Sequence, residues 1–98
     1  MPSSKAAAAP SRDPATWTVG RDYLVFTPTH YYTGRLAIAT PTELVFVNAA
    51  WIPETGRLSE CLSTGTVEEC EPFEDELVLP RHECKAIGWR HSLPRDLK

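Results

Sequence analysis

No apolar run in this 98-residue chain approaches the roughly 18 residues of a membrane-spanning helix, so no membrane partner is expected. The opening stretch MPSSKAAAAPSRDP has no apolar core, which argues against a secretory leader. Basic charge is short. Lys and Arg number 10 against 13 Asp and Glu, a net charge of −3. Such a balance argues against a sequence-blind nucleic-acid binder, because phosphate attraction rests on Lys and Arg; it leaves room for a local basic ring.

Cysteine is scarce and odd in number: Cys61, Cys70 and Cys84. At least one thiol is unpaired, which fits a reducing compartment. No pair has the C-x-x-C spacing. The expectation is buried or partly buried free thiols, set against His82-x-Cys84 as half of a zinc site. Phosphate-loop, H-E-x-x-H and G-x-S-x-G signatures are missing, and no catalytic constellation stands in their place. His82 and Cys84 would form a thiolate pair only if an extended backbone turned both side chains the same way. The expectation is a non-enzymatic protein with no cofactor and no bound metal.

What is present reads as β structure. In YYTGRLAIA, residues Tyr32, Gly34, Leu36 and Ile38 alternate with Tyr31, Thr33, Arg35 and Ala37, the period of a half-buried strand. A turn at Thr40-Pro41-Thr42-Glu43 leads to the apolar run Leu44-Val45-Phe46-Val47. The segment DYLVFT predicts an earlier strand over 22–27, and two more are predicted over 76–80 and 84–89, around the corner Arg81-His82-Glu83. Between them, Leu58, Cys61 and Leu62 share one face of a short helix over 55–64, with Thr55 as N-cap and Gly65 as C-cap. That helix is expected to dock its Leu58/Leu62 face on the sheet. The acidic stretch 68–76 reads as a solvated loop or edge strand, or else as a site for a cation or basic partner.

This order of strands and turns resembles the Sm-like barrels, the family of Sm, LSm and Hfq proteins. Gly34-Arg35-Leu36-Ala37-Ile38-Ala39-Thr40 followed by Leu44-Val45-Phe46-Val47 resembles the first Sm signature. Val78-Leu79-Pro80-Arg81-His82-Glu83-Cys84 resembles the second, with His82 where glycine is expected. A generic SH3-like barrel is the alternative. The resemblance extends to small Sm-like proteins of bacteria and their phages. It implies a mainly β fold: a five-stranded, strongly bent antiparallel barrel with a helical insertion over 50–75, between the third and fourth strands. The domain would run over 17–91, flanked by a flexible arm at 1–16 and a tail at 92–98 that is polar and expected to be loose.

Sm-like proteins form rings by strand-edge pairing and bind RNA at the pore through the turns of both signatures. Carried over, the pore turns are Thr40, Thr42 and Glu43 with Arg81, His82 and Glu83. Thr40 stands where an acidic residue is expected, and Glu43 where an asparagine reads a base. Subunit contacts are expected from Val78, Leu79, Cys84 and Ala86, with Tyr31 and Trp51 as contacts or stacking surfaces. The resemblance thus implies a homo-oligomeric ring, either a scaffold or structural assembly component, of phage or mobile-element origin, or a binder of RNA or single-stranded nucleic acid. The location implied is cytoplasmic, or virion-associated for a phage protein. The arm is a candidate holder of a protein partner.

Overall fold

The computed structural model describes residues 16–98; the expected arm at 1–16 lies, but for its last residue, outside them. Six strands form one antiparallel sheet: β1 (Asp22–Phe26), β2 (Tyr31–Ala39), β3 (Glu43–Glu54), β4 (Glu69–Pro72), β5 (Leu77–Pro80) and β6 (Lys85–Gly88). A single short helix, α1 (Leu58–Thr64), lies between β3 and β4. The strand order is β4-β3-β2-β1-β6, with β5 also paired to β3. The sheet is open, with six strands where five were expected. Phe73 and the three acids after it, Glu74, Asp75 and Glu76, separate β4 from β5, and both strands pair with the same edge of β3.

The twelve-residue β3 can serve two partners because the sheet is bent by bulges. Thr33 pairs with Ala50 and Arg35 with Val47, so Gly34 alone faces Asn48 and Ala49. Asn48 takes the left-handed conformation, φ 51°, and the extra residue sharpens the local twist. Glycine suits the close approach opposite it. A Cβ on Gly34 would lie 3.0 Å from Phe46 Cβ and 3.2 Å from Ala49 Cβ.

A second irregularity leaves Ala37 unopposed between the pairs Leu36–Phe46 and Ile38–Val45. It corrects the expected alternation. Leu36 is fully buried, but Ile38, two residues on, is 51% exposed because the bulge reverses which face the strand presents.

The core has two layers. On one face Tyr23, Val25, Leu36, Leu44, Phe46, Ala49 and Leu79 pack together. On the other, Leu24, Ala50, Ile52, Cys61, Val67, Cys70 and Trp89 are covered by the helix and the chain's final segment. Each fully buried large side chain contributes about 1.5–3 kcal/mol, so the second layer matters in so small a domain.

The helix differs from expectation at its start. It begins at Leu58 after Arg57, with no side-chain cap, and Thr55 instead donates its hydroxyl to Gly56 O at 2.7 Å. Its buried contact is Cys61, with Leu62 half-buried, while Leu58 is 38% exposed. Gly65 does close it, with φ 78° and its N–H on Cys61 O at 2.8 Å.

The final segment is not loose, as its polarity had suggested. Trp89 is buried and gives its indole Nε1–H to Ser92 O at 3.1 Å. Arg95 donates to Ala49 O at 2.6 Å and to Phe73 O at 2.8 Å. Lys98 exchanges main-chain hydrogen bonds with Cys70, at 2.9 and 3.1 Å, and its Nζ donates to Val67 O. Main-chain carbonyls, invisible to a composition argument, hold the tail along the outer edge of β4.

Candidate assembly and nucleic-acid interface

The two turns expected to line a pore do come together. Thr40 Oγ1 accepts the Glu43 N–H at 2.9 Å, and Thr40 N–H is given to Glu43 O at 2.9 Å, closing the β2–β3 turn. Residues 81–83 form a 3-10 turn between β5 and β6. Arg81 joins the two: its N–H is donated to Thr42 O at 2.9 Å and its Nη1 to Thr40 O at 2.7 Å. Arg81 is therefore already engaged as a clamp. Thr42, Glu43, His82 and Glu83 are exposed around it, and His82 lies 3.8 Å from the Glu83 carboxylate. Its charge balance, two carboxylates beside one committed guanidinium and one imidazole, does not favour phosphate.

The 3-10 turn also separates His82 from Cys84. An extended backbone would have pointed them alike; here His82 is exposed and Cys84 turns inward, its thiol donating to Pro80 O at 3.3 Å. Burial, and then the Glu83 carboxylate, push the Cys84 thiol up to about 11. It is thus held as a thiol rather than a nucleophilic thiolate. Cys61 and Cys70 are buried and unpaired, and burial raises both. Among the described residues no group of three or more His, Cys, Asp or Glu is arranged to hold a metal ion.

The residues expected at a subunit contact fall into two groups. Val78 is 47% exposed on β5, whereas its neighbour Leu79 is buried in the first core layer. Ala86 on β6 sits across β1 from Tyr32, since both pair with Val25, and Tyr32 pairs in turn with Trp51. Ala86, Tyr32 and Trp51 thus share one row, with Cys84 packed against the same layer. Tyr31 stands on the opposite face, edge-on to Phe26 with ring centroids 5.7 Å apart.

Sequence reasoning overlooked two features. His30 stacks on Tyr32 at 5.9 Å and approaches Trp51 at 5.5 Å, while Phe73 reaches Tyr32 at 6.4 Å. Only the register of β2 on β3 brings these rings together. The second is a cavity of about 370 Å³ beside β6, lined by Trp17, Arg21, Tyr23, Ala86 and Gly88 among others. Arg21 lies 5.4 Å over the Tyr23 ring, and Trp17 meets the same ring at 5.1 Å. An arginine next to DYLVFT was visible in the sequence; that glycine at position 88 makes room for it was not.

Among the described residues, β5 and β6 each keep one edge without a partner strand. The edge of β4, by contrast, is occupied by Lys98. Comparison with known proteins finds no matching family model, no matching curated protein and no matching solved structure.

Proposed function

We propose that this chain is a non-enzymatic, Sm-like scaffold that assembles into a ring with copies of itself through its strand edges. The observation that carries the reading is the pair of uncovered edges. An open edge presents unpaired N–H and C=O groups and invites another strand. Among the described residues, one of three outer edges is sealed by the chain's own tail, while β5 and β6 are left open at opposite ends of the strand order. Two different edges on one subunit suit a head-to-tail contact, which closes a ring when the rotation permits.

The sheet's bulges and the glycine opposite Asn48 are compatible with a barrel-like Sm curvature. A scaffold role follows from what the surface offers. Acidic charge predominates, and the three thiols are held protonated by burial. Sedimentation or native mass measurement at micromolar concentration is expected to give a discrete multimer. A monomer there overturns the proposal.

A second reading, single-stranded RNA or DNA held at the pore, has the meeting of the Thr40–Glu43 and Arg81–Glu83 turns in its favour. The aromatic group of His30, Tyr32, Trp51 and Phe73 would supply stacking faces. Engagement of Arg81 with Thr40 O and the flanking carboxylates weigh against it. Binding of short single strands over a salt series separates the two readings. Affinity that falls steeply with salt supports the second; its absence leaves the scaffold.

A further inference from the structure

The segment from Trp17 to Arg21 is fastened to the sheet before β1 begins. Gly20 donates its N–H to Leu36 O at 2.7 Å, Leu36 donates its own to Arg21 O at 3.0 Å, and Thr18 N–H is given to the hydroxyl of the buried Tyr23 at 2.9 Å. These bonds fix where the Arg21 side chain leaves the backbone. Its guanidinium then rests on two supports. One is the Tyr23 ring, whose centroid lies 5.4 Å from Cζ. The other is the main chain of Gly88, which pairs with Tyr23 across β1 and β6. A Cβ at Gly88 would lie 3.0 Å from Arg21 Cζ and overlap Nη2, so a side chain there displaces the guanidinium.

The guanidinium is placed but not engaged. Among the described residues, Arg35, Arg81 and Arg95 each hold an oxygen, whereas the Arg21 side chain donates to none. The acid beside it in sequence, Asp22, is taken by Arg35 at 2.8 Å. Successive strand residues also send Asp22 and Tyr23 to opposite faces. The cavity of about 370 Å³ at Arg21 is lined by Thr16, Trp17, Arg21, Tyr23, Ala86 and Gly88, with no carboxylate among them. Elsewhere acids intrude. Arg57 and Lys98 share a cavity with Glu60 and Glu68, and the one beside Asn48 is lined by Glu74, Asp75 and Glu76.

We propose that the cavity at Arg21 is a binding site for a small aromatic carboxylate, with Arg21 taking the carboxylate and Trp17 the ring. Every residue of the site belongs to one subunit, so binding does not depend on self-assembly.

Each part of the ligand follows from a part of the site. The lining holds one cation and no second Lys or Arg, which suits a single negative charge. A planar fork of N–H donors matches the two oxygens of a carboxylate. Trp17 is half-buried and meets Tyr23 and Phe46 at interplanar angles of 65° and 77°, so among the described residues no ring lies parallel on it. A flat apolar body supplies that stacking partner. The volume, about 370 Å³, is at the low end of the roughly 300–1,000 Å³ of ligand pockets and leaves room for one or two rings.

The test is a titration of the full chain at neutral pH, followed by the indole Nε1–H resonance of Trp17, which is assigned by its loss in Trp17→Phe. Benzoate and 1-naphthoate are expected to shift it saturably. Benzamide keeps the ring without the charge and is expected to bind about tenfold more weakly or not at all. Cyclohexanecarboxylate keeps the charge without the flat ring and is expected to bind about threefold more weakly or worse. Arg21→Gln is expected to abolish binding. Arg21→Lys removes the fork and Gly88→Ala displaces it, and each is expected to weaken binding about tenfold. Circular dichroism checks folding; Arg21 is exposed, so its variants decide the matter even where Gly88→Ala does not fold. No saturable shift with either aromatic carboxylate, or full affinity in Arg21→Gln, overturns the site. Cyclohexanecarboxylate binding as well as benzoate overturns the stacked ring. Phenyl phosphate binding about tenfold tighter than benzoate overturns the choice of a singly charged carboxylate. Sedimentation of the parent chain reports assembly separately, so either reading can fail alone.

Discussion

Thr33 is a residue whose side chain is fully buried and whose hydroxyl finds no hydrogen-bond partner. A hydroxyl in that position costs stability that an apolar group of the same shape would not. Thr33→Val is expected to stabilise the fold by about 1 kcal/mol, measured by denaturant unfolding; an unchanged or lower midpoint contradicts this account of the site. Cys84 makes a second prediction, in alkaline solution. Its thiol is raised to about 11 in the folded protein from an ordinary 9.0, so the native state keeps the proton longer than the unfolded chain does. The stabilisation this gives is complete below about pH 9 and is lost as pH rises through about 11. Cys84→Ala is expected to lose less stability than the parent across that window, when unfolding is followed at stepped pH. Neither effect was legible in the sequence. A threonine in an alternating strand looks solvent-facing until a helix and tail are found to cover its far side.

Strands were easier to read than what covers them. Residues 22–26, 31–39 and the start of β3 follow from β-branched and aromatic runs broken by Pro28 and by the Thr40–Glu43 turn. The bulge at Ala37 was hidden, because side-chain chemistry does not announce an extra residue; only Ile38 pointing outward reveals it. Gly34 was legible as a close-approach glycine, since a bent sheet needs one somewhere along β2. The final segment was misread because its anchors are two long cations aimed at main-chain oxygens, a pattern composition cannot distinguish from solvated charge. Its test is Arg95→Ala. Loss of the hydrogen bonds to Ala49 O and Phe73 O is expected to cost about 1–3 kcal/mol. Amide exchange at Cys70 and Lys98 should speed up with it. Exchange that stays slow at both amides would show the tail holding without Arg95.

At the scale of the molecule, the sheet is covered on both faces by the two core layers, while β5 and β6 each keep one edge without a partner strand among the described residues. Of the residues that the resemblance placed at subunit contacts, Val78 is exposed on β5 and Ala86 lines the cavity beside β6, the two strands that keep an open edge among the described residues. Sedimentation of the parent chain at micromolar concentration decides whether copies meet. The burial of Trp89 has an optical consequence. Its indole is enclosed by the helix and tail layer, while Trp17 and Trp51 remain partly accessible near the cavity and the aromatic group. Emission that shifts to the red marks release of the clasp, whereas quenching by dissolved iodide senses the other two; with single-tryptophan variants, one spectrometer can follow unclasping and association as separate events.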